Sequence, residues 1–559
     1  MYRLFNWYRR NDLVVGGGIA GLCTAVAAAR HGIKVVLMQD RPVLGGNASS
    51  EIRMWVCGAE DTDVRETGIF EELMLENYYR NQSLSYSIWD SVLYEKARFD
   101  PNITLLLNCS CNEAKTSNNH IESITGWQLT TKTFHIVKAK YFADCSGDSI
   151  LAPLTGAQFM LGREAKAMFG ESIAPEVADK KTMGMSCLFQ IRETNSVQTF
   201  IPPAWAYEYP DDSSLPYREH AFDLTNNFWW IELGGMADSI HDTEDLKDEL
   251  LKIAFGIWDH IKNKGDHGYT NWALDWVGCL PGKRESRRYV GKHIITQNDV
   301  ENEGRFDDIV AYAGWTMDDH FPEGFYYKHG CSTIWHPAPS PWGIPWRSLY
   351  SNNIDNLCFA GRNISTTHVA LSSTRVMATC GVIGQALGTG VAQIVKRNVG
   401  FDEIDIKSLQ QELMYDDCYL PFVSRKISPL TANAETNAPL TINGIERDEK
   451  NCSNEKTLTY SFSTPQNISE IRLIFDSNLN REYDNMPCNF RLNEPGYKLP
   501  NTIVKEYKII ADGTVIVDEK NNYQRMRKHA VSVNAKNIEI RLVKTHGADE
   551  FKIFAVDFN

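Results

Sequence analysis

The chain of 559 residues is 43% hydrophobic and 23% charged, which is typical of a globular protein and, at this length, predicts more than one domain. Lys and Arg total 57 against 71 Asp and Glu, and the formal net charge of −14 argues against nucleic acid or an anionic membrane as the main partner, because both bind clustered positive charge. No apolar run approaches the roughly 20 residues of a membrane span, and the start, "MYRLFNWYRRND", lacks a signal-peptide core, which favours the cytoplasm over the periplasm.

The first candidate site is a glycine-rich turn between a short apolar strand, residues 13–15, and an alanine-rich helix, residues 19–31. A second apolar strand follows the helix, so the turn lies in a complete βαβ unit. Its G-x-G-x-x-G pattern allows a tight turn, close approach of a pyrophosphate and close packing of the helix, whose N-terminus points free N–H groups at the phosphates. The predicted phosphate-binding residues are Gly16, Gly18, Ile19, Ala20 and Gly21.

The end of the second strand normally carries an acidic residue that holds a ribose. This sequence has Gln39 there, followed by Asp40. An amide can accept from one ribose hydroxyl and donate to the other, and it would not repel a 2′-phosphate. Gln39 alone therefore does not distinguish FAD from a nicotinamide cofactor.

Three further stretches do distinguish them. "RPVLGGNASSE" resembles the R-x-x-x-G-G segment of flavoproteins with the glutathione-reductase type of FAD fold, "KAKYFADCSGDSILAPLTGA" resembles their second fingerprint, and "NLCFAGRNISTTHVALSSTRVMATCGVIGQALG" resembles their last, with a helix from about Thr374 to Val395. Three alternating runs before the second fingerprint, "ITLLLNCSC", "HIESITGWQL" and "TFHIVKA", predict a β-meander. The resemblance implies that FAD is also bound by Arg41, Gly45, Gly46, Asn47, Gly147, Asp148, Gly361, Arg362, His368, Gly384 and Gln385.

The resemblance covers roughly residues 10–400 and is to the FAD-dependent oxidoreductases grouped with the flavoprotein subunit of heterodisulfide reductase. It implies FAD as the cofactor. The chain departs from the iron–sulfur members because its 13 cysteines are scattered, mostly in apolar runs, which predicts reduced buried thiols. No His pair has a short-range metal spacing either, so the sequence predicts no metal site.

The region between the FAD motifs is rich in tryptophan and is the predicted substrate domain. Indole faces can stack on sugars, although any single Trp here is more simply explained as core. Hydride transfer from an alcohol requires a base near the flavin, and the candidates are His336, the first choice, and His320. Arg347 and Arg375, near the FAD motifs, and the cluster "GKRESRR" are candidate clamps for an anion or a hydroxyl.

From about residue 430 the sequence contains short runs of alternating apolar and polar residues, which predict β-strands. "ISEIRLIFDSNLN" and "EFKIFAVDF" resemble the discoidin or galactose-binding-like β-sandwich, which implies either sugar binding or docking. The predicted class is thus α/β: a Rossmann-type FAD-binding domain with an interleaved mixed-sheet substrate domain, and a C-terminal β-sandwich. The predicted boundaries are 10–165 and 346–400 for FAD binding, 166–345 for substrate, 401–429 for a helical linker and 430–559 for the sandwich.

These observations predict an FAD-dependent oxidoreductase that acts on a small polar molecule, a sugar or glycoside, by hydride transfer to or from flavin N5. The alternative is a non-catalytic glycan-binding protein or docking subunit with structural FAD. A two-nucleotide reductase is disfavoured, because no second G-x-G-x-x-G follows a strand.

Overall fold

The computed structural model describes residues 4–221, 228–482, 489–490 and 496–559. Residues 222–227 of the predicted substrate domain, and 483–488 and 491–495 of the predicted sandwich, lie outside the described residues. The chain divides into two compact units, of which the first comprises Met1–Ala59, Leu84–Leu409 and Asp484–Pro495. The second comprises Glu60–Ser83, Gln410–Tyr483 and Gly496–Asn559, so it differs from the predicted module 430–559 by including a segment from near the N-terminus.

A five-stranded parallel sheet forms the centre of the first unit. Its order is Leu357–Phe359, Tyr141–Asp144, Asp12–Val15, Val35–Met38 and Ile103–Leu106. The strands Asp12–Val15 and Val35–Met38 are buried at every position, as expected for a parallel sheet covered on both faces. All carboxyl ends of these strands lie at one edge of the sheet, where a ligand site is expected.

The predicted β-meander is present with one change. The predicted run "ITLLLNCSC" divides: Ile103–Leu106 joins the parallel sheet, and its last residues begin the strand Cys109–Ser117 of a separate sheet. The order of that sheet is Leu4–Arg9, Thr133–Lys138, His120–Gln128 and Cys109–Ser117. The strand Leu4–Arg9 pairs in parallel with Thr133–Lys138 and was not predicted from its basic residues. Both differences from the prediction arise from pairing with strands that are distant in sequence: Ile103–Leu106 with Val35–Met38, and Leu4–Arg9 with Thr133–Lys138.

Eleven α-helices lie within the described residues, and most of them are short. They are Ile19–Arg30, Ile69–Arg80, Tyr86–Arg98, Leu151–Thr155, Lys166–Phe169, Thr243–Asp259, Gln297–Glu301, His368–Thr374, Met377–Arg397, Ile406–Tyr415 and Pro429–Ala432. Among the described residues, only Met377–Arg397 is long and apolar enough to cross a membrane, and 94% of its most apolar window is buried inside the protein, as in a core helix. The sequence analysis expected no apolar segment as long as a membrane span, and this buried core helix is an exception to that expectation.

The helix Met377–Arg397 packs closely against Ile19–Arg30. A Cβ on Gly384 would lie 2.2 Å from the Ala20 carbonyl oxygen, so only glycine permits this approach of the two helices. Gly384, predicted to bind FAD, is thus a packing residue. This contact holds the glycine-turn helix against the helix of the last fingerprint.

The predicted substrate region consists of short strands and one long helix. Within its described residues, the strands are Met185–Ser186, Phe189–Glu193, Glu232–Leu233, Trp272–Val277, Gly282–Lys283, Arg288–Tyr289, Ile309–Ala313, Met317–His320, Thr333–His336 and Trp342–Pro345. The strand Phe159–Met160, just before this region, pairs with Arg288–Tyr289. The helix Thr243–Asp259 continues into a π-helical turn, His260–Lys264. Trp230, Trp258 and Trp272 belong to the hydrophobic core of this region, so these indoles are structural.

An antiparallel sheet organises the second unit, and it is compatible with a β-sandwich. Its order is Glu435–Thr436, Thr457–Phe475, Met526–Thr545, Val504–Ala511 and Thr514–Glu519, and Ile553–Phe558 also pairs with Thr457–Phe475. Residues such as Leu458, Ile509 and Ile540 form its core.

A buried ion pair ties the helix Ile69–Arg80 into the second unit. Arg481 donates two hydrogen bonds to Glu71, at 2.9 and 2.6 Å, and both side chains are buried. Burial alone would raise the pKa of Glu71, but the Arg481 guanidinium holds it below its ordinary value. Because one charge without the other would be buried and uncompensated, the segment Glu60–Ser83 belongs structurally to the second unit.

Candidate active site

The glycine turn between Asp12–Val15 and Ile19–Arg30 contains glycines of two kinds. A Cβ on Gly16 would lie 2.5 Å from the Cys145 carbonyl carbon, and one on Gly21 would lie 1.8 Å from the Gly16 oxygen. The fold itself therefore requires these two. A Cβ on Gly18 would meet nothing nearer than the Gly46 Cα at 3.9 Å, so the protein alone has room for one. The open face of Gly18 is a cradle that a ligand would fill.

This face belongs to a cavity of about 560 Å³ at the carboxyl ends of the central strands. Fourteen of the predicted cofactor-binding residues line it: Gly16, Gly18, Ile19, Ala20, Gln39, Asp40, Arg41, Gly45, Gly46, Asn47, Gly147, Asp148, Gly361 and Arg362. The other four, Gly21, His368, Gly384 and Gln385, are outside the lining. All three sequence fingerprints thus meet at one cavity, although they are far apart in the chain.

Gln39 binds the protein backbone with both ends of its amide. Oε1 accepts a hydrogen bond from Gly17 N at 2.7 Å, and Nε2 donates to the Val43 oxygen at 3.2 Å. The side chain, 2% exposed, therefore fixes the glycine turn against the segment before Gly45. The ribose contact expected for this amide stays a prediction, and the structure gives Gln39 a role that the sequence did not show.

Gln39→Leu is expected to lower the free energy of unfolding of flavin-free protein by about 1–3 kcal/mol, because the buried Gly17 N–H loses its acceptor. Thermal or urea unfolding of protein stripped of FAD measures this. Asp40→Asn is the matched control, since the Asp40 side chain is 63% exposed at the same cavity. If Gln39→Leu weakens FAD binding without changing flavin-free stability, Gln39 contacts the ribose instead.

Asp148, from the second fingerprint, joins two cations at the cavity wall. Lys283 donates to it at 2.9 Å and Arg362, from the last fingerprint, at 2.8 Å. Burial alone would raise the pKa of Asp148, but Arg362 and Lys283 lower it to about 2, so the carboxylate is ionised. Gly147, with φ +77°, leaves the space that the Arg362 guanidinium occupies. This network connects three segments of the site and explains why a glycine precedes the aspartate.

The hairpin of Met317–His320 and Thr333–His336 forms another wall. Asp318 pairs with Trp335 and His320 with Thr333, and these four residues line the cavity. Since side chains alternate along a strand, His336 is on the opposite face and does not line the cavity. The structure thus corrects the first choice of base: His320, the second choice, is the histidine that reaches the site.

His320 is held between acidic groups. Its Nδ1 donates to Glu232 Oε2 at 2.8 Å, and its Nε2 lies 3.7 Å from Asp318 Oδ2. Burial alone would lower the pKa of His320, but Glu232 and, to a smaller extent, Asp318 raise it above its ordinary value against the opposing charge of Arg284. The protonated form of His320 therefore persists to higher pH than that of an ordinary histidine. That form can donate a proton or a hydrogen bond, and the neutral form can act as the base that the sequence predicted. Glu232 was not found from the sequence, because no motif surrounds it.

Of the two arginines predicted to clamp the substrate, one lines the cavity and the other does not. Arg375 lines the cavity and donates to Asp318 Oδ2 at 3.0 Å. Arg347 pairs with Asp308 at 3.0 and 3.1 Å, is half exposed and is outside the cavity lining, so its carboxylate partner explains it. From the "GKRESRR" cluster, Lys283 and Arg284 line the cavity. Lys283, Arg284 and Arg375 thus line the cavity together with Arg41 and Arg362.

His368 is part of a buried ion cluster beside the cavity. Its Nδ1 donates to Glu285 Oε2 at 2.9 Å and its Nε2 to Asp319 Oδ1 at 3.1 Å. Burial alone would lower the pKa of His368, but Glu285 and Asp319 raise it to about 10. The cluster therefore stabilises the fold fully below the ordinary value of 6.5, and this contribution is lost as the pH rises toward 10. His368 binds protein side chains where the sequence predicted a cofactor contact.

A comparison with protein families identifies the class. A sequence profile described as FAD dependent oxidoreductase matches residues 13–413, which include the glycine turn, the second and last fingerprints and the hairpin of His320. The chain therefore belongs to the FAD-dependent oxidoreductase family. It is an oxidoreductase, and its cofactor is FAD. A search of curated proteins finds no significant match.

Solved structures show only low similarity to this chain. The p-nitrophenol 4-monooxygenase PnpA of Pseudomonas putida DLL-E4 is 11% identical over 70% of this chain and 82% of its own, with a TM-score of 0.32. A geranylgeranyl bacteriochlorophyll reductase-like protein of Thermoplasma acidophilum is 11% identical over 74% and 85%, with a TM-score of 0.30. A family 32 carbohydrate-binding module of Streptococcus pneumoniae EndoD is 10% identical over 22% and 82%, with a TM-score of 0.17. No conclusion about substrate follows from likenesses this low.

Proposed function

We propose that the protein oxidises or reduces a sugar or a glycoside at this cavity. The observation that carries the proposal is that four indole side chains line the same cavity as His320, Asp318 and Arg375. When bound, FAD supplies the acceptor or donor of a hydride at N5. The residues of this chain bind and orient the substrate and hold a proton at His320.

The four indoles are Trp55, Trp229, Trp315 and Trp335. They differ from the tryptophans of the core, because each keeps part of its surface accessible, and Trp335 is 53% exposed. Aromatic faces can cover the C–H surfaces of a pyranose while leaving its hydroxyls free. This placement favours a substrate that has both apolar and hydroxyl-bearing faces.

The polar groups beside the indoles can orient hydroxyls. Asp318 is buried, which alone would raise its pKa, but His320 and Arg375 hold the pKa well below the ordinary value. The ionised Asp318 can therefore accept a hydrogen bond from a hydroxyl, and the His320 imidazolium can donate one to an oxygen. Such a donor would stabilise an alkoxide or polarise a carbonyl at the carbon that exchanges hydride.

The finer classification is proposed on the same motifs. The parallel sheet with its glycine turn supports a Rossmann-type FAD domain, and the fingerprints support grouping with the heterodisulfide reductase flavoproteins without their iron–sulfur clusters. The cavity-lining Cys109 is a free thiol, and burial raises its pKa to about 12. For the C-terminal strands, the antiparallel sheet supports a discoidin-like sandwich that binds sugar or docks.

Anaerobic titration of the purified protein with sugars and glycosides tests the substrate class. A substrate is expected to bleach the oxidised flavin absorbance, and an electron acceptor should restore it. Trp335→Ala should raise KM about 2- to 10-fold, since aromatic contacts of this kind contribute about 0.5–1.5 kcal/mol. Trp205→Ala is the matched control, because Trp205 is 51% exposed and is outside the cavity lining. Two outcomes would contradict the proposal: oxidised flavin that no sugar reduces together with reduced flavin that no keto-sugar or lactone reoxidises, or equal effects of the two variants.

A further inference from the structure

Four metal-ligating side chains converge in the first unit, away from the residues that line the FAD cavity. They are Asp212, His220, His260 and His267, and one ligand atom from each lies within 4.8 Å of the others. His260 begins the π-helical turn after Thr243–Asp259, and Asp212 begins a short 3-10 turn, Asp212–Ser214. The cluster thus joins two segments that are separate in sequence.

The three imidazoles have an unusual hydrogen-bonding state. Their Nε2 atoms are buried, and none of the three has a hydrogen-bond partner. The His260 side chain is entirely buried. A buried polar atom without a partner is costly, so three such atoms in one cluster require an explanation.

The other nitrogen of His260 supplies part of that explanation. Nδ1 donates to the backbone oxygen of Tyr209 at 2.9 Å, so the neutral ring carries its lone pair on Nε2. Metal-binding histidines typically donate their second N–H to a carbonyl or carboxylate in this way. A simple hydrogen bond from His260 Nε2 to Asp212 would instead need an imidazolium buried beside two other imidazoles.

The distances match a coordination sphere. Asp212 Oδ1 lies 3.2 Å from His260 Nε2 and 3.4 Å from His267 Nε2. Ligands about 2.0–2.1 Å from a tetrahedral ion are separated by about 3.3 Å.

We propose that Asp212, His220, His260 and His267 bind one Zn²⁺ ion with a structural role. Three imidazole nitrogens and one carboxylate oxygen are ligands that Zn²⁺ prefers, and four protein ligands complete a tetrahedral shell, as in structural sites. Asp212 is 71% exposed, which gives the ion a path to the site. The ion would tie the segment around residue 212 to the end of the helix Thr243–Asp259. The sequence prediction of no metal site relied on short-range spacing, which cannot detect ligands from two separate segments.

The test measures zinc in the full-length, FAD-loaded protein after dialysis against Zn²⁺ and then against buffer. About one zinc per chain is expected by plasma mass spectrometry, with a Tm that falls on chelation and recovers with Zn²⁺. His267→Gln and His260→Gln should weaken Zn²⁺ binding at least about tenfold. His241→Gln, at an exposed histidine outside the cluster, should bind zinc like the wild type.

Co²⁺ titration of the wild type provides a measurement that does not depend on variants that fold poorly. A tetrahedral site should produce intense d–d bands at wavelengths longer than those of the flavin, and Zn²⁺ should abolish them. The proposal is overturned if these bands are absent, if the wild type retains no zinc, or if it retains only as much as His267→Gln.

Discussion

Gly18→Val is expected to give a folded protein without FAD. The Gly18 Cβ position is empty in the protein, with its nearest heavy atom 3.9 Å away, and it faces the cavity. A branched side chain would occupy the space through which a pyrophosphate reaches the backbone N–H groups of the turn. The FAD content is measured by acid release from the purified variant, and the folding of the variant is measured by circular dichroism.

Gly21→Ala is the matched comparison and should behave in the opposite way. Its Cβ would lie 1.8 Å from the Gly16 oxygen, so the helix could not approach the turn, and the protein should unfold or aggregate. Wild-type FAD content in the Gly18→Val protein would show that the turn serves the fold alone. Loss of folding in both variants would show that the protein cannot accommodate a side chain at position 18.

His320→Gln is expected to lower kcat/KM by about 10²- to 10⁴-fold, the range typical of a general acid or base. The substrate is any sugar that reduces the flavin in the anaerobic titration. His336→Gln is the matched control, because His336 is on the opposite face of the same hairpin and should leave kcat/KM close to that of the wild type. Inactivation by His336→Gln, with little effect of His320→Gln, would restore the original assignment.

The pH profile tests the state of His320 separately from its presence. In the oxidation of a sugar, the hydroxyl proton must pass to a base as the hydride leaves the carbon, so kcat/KM should rise with pH as the neutral form of His320 appears. Because the pKa of His320 is raised, this rise should occur above the ordinary histidine range. Glu232→Gln removes the carboxylate that accepts from Nδ1, so this limb should move to lower pH. An unchanged limb would mean that the titrating group is not His320.

The parts of the site predicted from sequence are those that local chemistry determines. The glycine turn, the Gly45–Gly46 segment and the Gly147–Asp148 pair each carry their backbone requirement within a few residues, and all line one cavity. Which histidine faces the cavity, His320 or His336, depends on the register of the two hairpin strands. The proline-rich loop after His336 gives no information about that register.

Other features depended on partners far along the chain. Arg347 near an FAD motif looked like a clamp, but Asp308 neutralises it, and Gly384 serves helix packing. Glu232 determines the charge state of His320 from a strand of two residues that no pattern marks. The predicted sandwich, which begins at residue 430, does not include the segment Glu60–Ser83. This segment is bound to the second unit by the Glu71–Arg481 ion pair, which joins residues far apart in sequence.

The three-segment composition of the second unit has a consequence for biosynthesis. Glu71 precedes Arg481 by 410 residues, so it leaves the ribosome long before its partner exists. At about 5–20 residues per second, that delay is roughly 20–80 s. During this time the helix Ile69–Arg80 has an acidic group and an apolar face without their final neighbours. The second unit therefore cannot fold domain by domain as it emerges. Its completion waits for the last strand, Ile553–Phe558, which pairs with Thr457–Phe475.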